Sequence, residues 1–445
     1  MKRLTPLALL LAGGCAHYAP MPLEPMPAAL NAPIASVLAE QADKISRPWL
    51  NPVTLDLSAP LTPDAIATLA VVNNPDLKAA RARAGVSDAQ VFAAGLLPDP
   101  NVSLGANKVL AGPDPFLDLA NALSFDINAL RTRGVTREKA KANARQVRLD
   151  LAWLEWQTAG QARIQAVRIQ SLEAQLALAG QSVESQQWLF ERTREAAARG
   201  DVSGDRLQTA RVAALDAQSK LRTVQTDLAT ARSELSKLLG LPPGALPQLA
   251  PVALPEPPPQ TDVLFDLARA DRTDLQALQA GYAAQEAAVH KAVLDQFPTL
   301  NLTVNANRDS AGNTLAGPAV DFTLPLWNRN RGGIAVERAT RAALKAEYDA
   351  RLFQARADIV AAEAGLALAF RQRADAQKGL PTLQTYSRAS RRAAERGDLS
   401  QETAIAAEQA LRDRLMQIAQ SEQAIREQMI ALELLTGTPR EAWKP

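Results

Sequence analysis

Residues 300–307 read Leu-Asn-Leu-Thr-Val-Asn-Ala-Asn, so that every second side chain is apolar and the ones between are polar. A turn-rich patch follows, and the alternation resumes at residues 320–324, Val-Asp-Phe-Thr-Leu. Successive side chains of a strand point to opposite faces. The pattern therefore predicts a β-hairpin with one apolar and one polar face. What this hairpin does depends on what covers its apolar face.

Two covers are compatible with this stretch. A helix packed on the hairpin is the ordinary one. Lipid is the other, because the rest of the chain offers almost no further strand, and alternating segments of about ten residues are typical of outer-membrane barrels. In a barrel, the polar face would line a hydrated lumen. The predicted lumen residues are Asn301, Thr303, Asn305, Asn307, Asp321 and Thr323.

The N-terminus has the features of an export signal. Residues 1–14 begin with Met-Lys-Arg, continue with a short apolar run and end in Ala-Gly-Gly, directly before Cys15, the only cysteine of the chain. Such a segment is too short for a membrane span. A cysteine after small residues resembles the lipobox of bacterial lipoproteins, which implies that Cys15 is acylated. Residues 15–60 are rich in proline and are expected to form a lipidated, extended tether.

Composition argues against two classes of function. Lys plus Arg number 49 and Asp plus Glu 47, with both signs interspersed. A nucleic-acid-binding protein would concentrate basic charge on one face, so no nucleic-acid partner is expected. The two histidines, His17 and His290, lie far apart, and the sequence contains no HExxH, GxSxG or P-loop motif. We therefore expect no enzymatic activity, no cofactor and no metal site.

The chain is duplicated, since four short motifs recur in the same order about 200 residues later. The pairs are Asn74–Leu77 with Arg272–Leu275, Leu97–Asn101 with Phe297–Asn301, Ala198–Ser203 with Glu395–Ser400, and Leu239–Pro242 with Thr436–Pro439. We predict a first repeat over 61–241, a proline-rich linker over 242–260, a second repeat over 261–440 and a tail over 441–445. The hairpins are expected at about 98–128 and about 298–326.

Very long helices are the second feature of each repeat. From about Arg133 to Arg199 nothing stops a helix except isolated glycines such as Gly160 and Gly180, which gives a length on the order of 100 Å. After the turn at Gly200, apolar residues follow at steps of three and four, the spacing of a coiled coil. Pro381 has no counterpart in the first repeat and should kink its helix. The predicted fold class is mainly α with a small β part, a duplicated helix–β-hairpin–helix protomer.

The hairpins also predict an oligomer. In hydrocarbon only a closed barrel pairs every backbone group of a sheet, and such barrels start at about eight strands. One chain supplies four strands and cannot close a barrel alone. Two copies would supply eight strands and three copies twelve, and the physics of the sequence leaves both possible.

The duplicated plan resembles the TolC-like outer-membrane efflux family over about residues 60–440. The motifs that carry the resemblance are Asn73–Leu77, Gly95–Pro100, Leu324–Trp327 with the following Gly332-Gly333, and the two Arg-Gly-Asp turns. The resemblance implies a homotrimer with a 12-stranded barrel in outer-membrane lipid and a helical periplasmic tunnel. It also implies a periplasmic adaptor and an inner-membrane RND-type pump as partners, with the chain as a passive conduit for heavy metals or drugs.

The paired turns are the strongest candidate site. They comprise Arg199, Gly200, Asp201, Val202 and Ser203 in the first repeat, and Arg396, Gly397, Asp398, Leu399 and Ser400 in the second. A glycine after one helix and a serine before the next are sufficient as helix caps. In the family such tips meet the adaptor, and a hydrophobic residue exposed between aspartate and serine would suit that contact better than capping.

Asp205 and Glu402 occupy equivalent positions just after these turns. An acid in a first helical turn can simply complement the helix dipole. Three copies would alternatively form a ring of carboxylates, a candidate gate. The rival to the whole interpretation is a periplasmic, lipid-anchored coiled-coil scaffold that transports nothing.

Overall fold

The computed structural model of the chain describes residues 18–25, 30–51, 53–114 and 116–443. Cys15 and the predicted export signal lie outside the described residues. Before the first repeat, helix α1 (Ala35–Lys44) buries Leu38 and Ala42. The start of the first repeat is paired with the linker between the repeats. Leu61 N donates to the carbonyl of Gln248, and Ala250 N donates to the carbonyl of Leu61, both at 2.8 Å.

The first repeat is built around one very long helix. Its elements are α2 (Pro63–Asn73), α3 (Pro75–Gly95), β1 (Asn101–Lys108), β2 (Leu117–Asp126), α4 (Ile127–Ala198) and α5 (Gly204–Leu239). The 72 residues of α4 give it a length of about 110 Å. Asp126 ends β2 and caps α4, because its carboxylate accepts a hydrogen bond from Ala129 N at 2.8 Å. Strand and helix are thus joined without a loop.

The second repeat has the same order, with its long helix divided in two. Its elements are α6 (Thr261–Asp271), α7 (Thr273–Leu294), β3 (Leu300–Arg308), β4 (Thr314–Phe322), α8 (Arg331–Lys378), α9 (Leu380–Glu395) and α10 (Gln401–Thr436). The division falls at Gly379. Pro381 lies in the first turn of α9, where its missing N–H costs no intrahelical hydrogen bond. The kink predicted at Pro381 is found as a break between two helices at Gly379, two residues earlier.

The four strands form one antiparallel sheet in the order β1-β2-β3-β4. The hairpins β1–β2 and β3–β4 are those that the alternation predicts. The pairing between the two hairpins was not predicted from the sequence. The strands β2 and β3 pair along their lengths, with Leu123 opposite Val304 and Ser124 opposite Thr303. The strands β1 and β4 are left at the edges, each paired on one side only.

The long helices pack side by side as a layer. The helix α4 packs against α5 on one side and against α10 on the other, and α10 in turn packs against α8 and α9. The helices α5 and α8 therefore lie at opposite edges of this layer. The coiled-coil spacing predicted for α5 is confirmed, since Ala210, Ala214, Leu228 and Leu235 are buried.

Contacts between α4 and α10 join the two repeats into one body. Trp156 Nε1 donates to the carbonyl of Leu434 at 3.3 Å, and Arg163 forms a buried ion pair with Glu433. Burial raises the pKa of the Glu433 carboxyl, and the adjacent Arg163 guanidinium opposes that shift. A side chain at Gly160 would collide with Leu434, so the glycine allows the two helices to approach closely.

The C-terminal end of each repeat is held by the junction between its two short helices. In the first repeat, the side-chain amide of Asn73 donates to the carbonyls of Leu239 (2.8 Å) and Gly240 (3.0 Å). Asn74 caps α3, its Oδ1 accepting from Leu77 N at 3.0 Å. The recurring motifs at Asn74 and Leu239 therefore lie in contact. Holding this junction together is a structural role that accounts for both motifs.

In the second repeat the same junction uses charged groups. Arg272 pairs with Asp274 at 2.8 Å in a buried ion pair, and its guanidinium lies 4.9 Å from the centroid of the Trp153 ring. Gly437 packs against the Arg272 backbone. Different chemistry thus closes equivalent positions of the two repeats.

Candidate functional site

The first turn between long helices is a complete helix-ending motif. After α4, Gly200 adopts a left-handed φ of 83°. Asp201 N donates to the carbonyl of Ala196 at 2.9 Å, and Gly200 N donates to that of Ala197 at 3.0 Å. This is the Schellman arrangement, which needs glycine at its left-handed position. Arg199 Nε donates to Asp201 Oδ2 at 2.9 Å and braces the turn.

The second turn repeats this geometry. Gly397 has a φ of 82°, Asp398 N donates to the carbonyl of Ala393 at 2.9 Å, and Arg396 Nε donates to Asp398 Oδ2 at 2.8 Å. Ser400 Oγ accepts from Thr403 N at 3.2 Å, whereas Ser203 makes no such capping bond. The Arg, Gly and Asp of both turns, and Ser400, thus have structural roles that need no partner.

Val202 and Leu399 are the tip residues with no hydrogen-bonding role in their turns. Both are partly buried, which corrects the expectation that they are exposed. Their neighbours in the turns, Arg199 and Asp201 in the first and Arg396 and Asp398 in the second, are exposed.

The two tips lie side by side in the chain. Arg206, at the start of α5, pairs with Glu402, at the start of α10, with 3.0 Å between Nη2 and Oε2. Both groups are largely exposed. Asp205 is exposed and forms no ion pair with any residue that the structure describes. A ring at Glu402 would therefore carry a guanidinium beside each carboxylate, a feature that the sequence did not signal because Arg206 is about 200 residues away.

In the half of the sheet nearest the helices, the strands share one apolar face. One row of opposed residues is Val102, Leu123, Val304 and Pro318, and the next is Phe125, Leu302 and Val320. Most of these side chains are exposed in the single chain. An apolar face of this extent on one side of a sheet marks a surface that another phase or another molecule covers.

The opposite face gathers polar side chains. Asn301 lies between Asp126 and Asp321, and Thr303 lies beside Ser124, with Thr303 Oγ1 3.5 Å from Asp321 Oδ2. The predicted lumen residues of β3 and β4 thus share one face with polar residues of the first hairpin. Just beyond β4, Thr323 meets Thr299, with 2.9 Å between their hydroxyl oxygens. The polar residues that the first hairpin adds to this face were not predicted, because polar and apolar residues alternate less strictly in that hairpin.

Within the part of the chain that the structure describes, none of the helices combines the length and the apolar character needed to cross a bilayer. Among the same residues, no three or more His, Cys, Asp or Glu side chains come together in a way that could hold a metal ion.

Residues 264–438 match the family described as outer membrane efflux protein. The match covers most of the second repeat. No sequence among the curated proteins matches the chain significantly.

Solved structures of outer-membrane channels share the fold. CusC is 18% identical, with a TM-score of 0.69 over 94% of this chain and 99% of that one. VceC of Vibrio cholerae is 14% identical, with a TM-score of 0.68 over 84% and 96% of the two chains. The open state of the MtrE channel of Neisseria gonorrhoeae is 16% identical, with a TM-score of 0.67 over 84% and 88%.

Proposed function

We propose that this chain, whose residues 264–438 belong to the outer membrane efflux protein family, is the outer-membrane channel of a tripartite efflux system. The observation that supports this most strongly is the two-faced sheet, whose strand β2 continues directly into the helix α4, about 110 Å long. A barrel needs lipid outside and water inside, and the sheet offers one face suited to each. The long helices would then carry the conduit across the periplasm.

The working unit is a homotrimer. The edges β1 and β4 each leave one row of backbone groups unpaired, and twelve strands from three copies would close them into a barrel. The edge helices of the layer support the same closure. The helix α8 exposes Phe353, Val360 and Leu368 on one side, seven and eight residues apart. The helix α5 presents a shallow groove in which small side chains such as Thr226 and Ala229 lie between longer polar ones. Edge-to-edge packing of α8 on α5 of the next copy would cover both.

The N-terminus anchors the trimer to the outer membrane through an acylated Cys15. The helical tips at Arg199–Ser203 and Arg396–Ser400 meet a periplasmic adaptor, which connects the conduit to an inner-membrane pump of the RND type. The pump supplies the energy and selects the solute, a heavy metal or a drug, and the chain described here provides a passive path.

Membrane extraction tests the barrel. We expect the chain to stay in the outer-membrane fraction through carbonate and high-salt washes and to require detergent for release. The Cys15→Ser variant, carrying a cleavable export signal of its own, should behave in the same way, because the barrel and not the lipid holds it. Release of this variant by the washes would support the scaffold alternative and overturn the channel.

A charge at the second tip tests the docking role. We expect Leu399→Asp to abolish export of a pump substrate while trimers still form, since a buried carboxylate at a contact is costly. Val202→Asp makes the same change at the first tip and reports whether both tips are used. Cross-linking of trimers is the control for assembly. Normal export by Leu399→Asp would contradict docking at this tip.

A further inference from the structure

Three arginines form a line along the last turns before the second tip. Arg388, Arg392 and Arg396 follow one another at intervals of four residues, so they lie on one side of α9 and its C-cap and span about 12 Å. All three are exposed. We refer to these three residues as the arginine stripe.

Little within the chain neutralises the stripe. Arg396 pairs with Asp398 in its own turn, and Arg388 Nε donates to the carbonyl of Gln384 in its own helix at 3.1 Å. Neither Arg388 nor Arg392 forms an ion pair with any residue that the structure describes. Like charges four residues apart destabilise a helix, so the stripe works against the local fold.

The first repeat shows that the fold does not need these arginines. When the repeats are aligned on Gly200 and Gly397, Arg388 and Arg392 correspond to Glu191 and Glu195. Those glutamates are neutralised inside α4. Glu191 pairs with Arg194 at 2.6 Å, and Glu195 pairs with Arg192 at 3.3 Å. Both turns have the same Schellman geometry with opposite charges before it, so helix capping does not account for the arginines.

The helix dipole explains only part of the stripe. A cation is favoured in the last turn of a helix, and the effect fades within that turn. Arg396 and Arg392 fall in that region, whereas Arg388 lies about two turns before the end of α9. A further reason is needed for an unpaired arginine at that distance and in line with the other two.

We infer that the arginine stripe is a docking surface for an acidic helix of the periplasmic partner that meets the tips. The inference rests on the proposed function and specifies its partner surface. The stripe is continuous with the proposed contact, because Arg396 belongs to the tip itself. Guanidinium groups form strong paired hydrogen bonds with carboxylates, and a helix with glutamate or aspartate at every fourth residue would match their spacing.

The first tip offers an acidic helix no matching stripe. At the positions of Arg388 and Arg392 it carries Glu191 and Glu195, which already pair with Arg194 and Arg192. The carboxylates of an acidic helix would find no free guanidinium there, and unmatched charges across an interface discriminate against the wrong arrangement. The two tips of each copy, otherwise alike in backbone, would thus receive different surfaces of the partner, and the register between channel and adaptor would be fixed.

Helical peptides test the inference on the purified full-length trimer in detergent. The probes are an alanine-based helix with glutamate at every fourth residue and a control helix with lysine in place of glutamate. We expect the acidic helix alone to bind, and binding to weaken as salt is added. Arg388→Gln with Arg392→Gln should weaken it by about tenfold, a loss typical of charge-assisted hydrogen bonds. The matched variant Glu191→Gln with Glu195→Gln should not weaken it. Equal binding of both helices, or no effect of the arginine variant, would overturn the inference.

Single-channel recording in planar bilayers separates this inference from the proposed function. A wild-type trimer that forms no channel would refute the proposed function whatever the peptides do. If the channel forms, we expect Arg388→Gln with Arg392→Gln to leave its reversal potential in a salt gradient unchanged. A shift toward cations would place the stripe in the bore, where it acts on passing anions, and would overturn the docking role. Loss of trimers in this variant would instead assign the stripe to a contact between copies, and would overturn it as well.

Discussion

The two repeats have one backbone plan and use different chemistry to hold it. The first closes its helix junction with the neutral amides Asn73 and Asn74, and the second closes it with the buried ion pair of Arg272 and Asp274. Glycine follows the last helix in both. The comparison shows that the helix ends and the left-handed turns define this fold. Different side chains can hold the junction as long as they hydrogen-bond the buried carbonyls at the helix ends.

The long helices differ in continuity. The helix α4 runs unbroken for 72 residues, whereas the second repeat divides the same span into α8 and α9. The division lies at Gly379, two residues before Pro381. The first repeat therefore contains one continuous long helix. The second contains a long helix with a joint that is nearer to the tip than to the sheet.

The largest expected effect comes from the glycines that close the repeats. A Cβ at Gly240, which has a φ of 62°, would lie 2.6 Å from the carbonyl oxygen of Asn73. We expect Gly240→Ala to lower the free energy of unfolding by about 3 kcal/mol. Gly437→Ala meets the Arg272 backbone at 3.0 Å and should cost about 2 kcal/mol.

Gly397→Ala is the control for these two variants, because Gly397 has a left-handed φ and open space around it, so that only strain of about 1 kcal/mol remains. Thermal unfolding followed by far-UV circular dichroism gives the ranking. If Gly240→Ala lowers the free energy of unfolding less than Gly397→Ala does, the backbone at the junction shifts easily to accommodate the added Cβ.

The next effect concerns the contact between the repeats. A Cβ at Gly160 would overlap the side chain of Leu434, whereas a Cβ at Gly180 in the same helix would meet nothing within 4 Å. We expect Gly160→Ala to lower the free energy of unfolding by about 1 to 2 kcal/mol through overpacking. Gly180→Ala should raise it by up to about 1 kcal/mol through helix propensity. If both variants are stabilised to the same extent, α10 does not pack closely against α4 at Gly160.

The joint can be removed by copying the first repeat. Aligned on the tip glycines, Gly379 and Pro381 correspond to Ser182 and Glu184. Gly379→Ser with Pro381→Glu should fuse α8 with α9 and stabilise the helix by about 1 kcal/mol. Spin labels at positions 371 and 388 should then report a single distance near 25 Å, the length of a straight helix. Unchanged distances would show that packing against α10, and not local sequence, makes the joint.

The smallest expected effect is at Arg412, which corresponds to Leu215 of the first repeat. Arg412 is buried, its Nε and Nη2 lack hydrogen-bond partners among the described residues, and burial lowers its pKa although Glu408 lies 3.5 Å away. We expect Arg412→Leu to change the free energy of unfolding by zero to about 1 kcal/mol in the stabilising direction. Destabilisation of trimers but not of dissociated chains would place a partner for Arg412 on a neighbouring copy.

Much of this architecture was predictable from local pattern. The strict alternation at residues 300–307 gave β3, and the recurrence of four motifs located the first hairpin even though its own alternation is weak. The glycines of the tips were predictable because only glycine tolerates the left-handed turn at low cost. Val202 and Leu399 lie in those tips as predicted, but their partial burial is visible only in the structure.

The sequence by itself determined the two-faced strands, the long helices and the place of the joint, because each follows from spacing within a few turns of chain. It also determined the duplication, because the same short motifs recur in the same order about 200 residues later. Only the tertiary structure decided that β2 pairs with β3, that Arg206 faces Glu402, and that α5 and α8 lie at the edges of the layer. These contacts join residues that are tens to hundreds of positions apart, and no local periodicity encodes which distant surfaces meet. The opposite charges of the residues before the two tips can be read from the sequence. The difference becomes informative only because the structure shows that the two turns have the same backbone geometry.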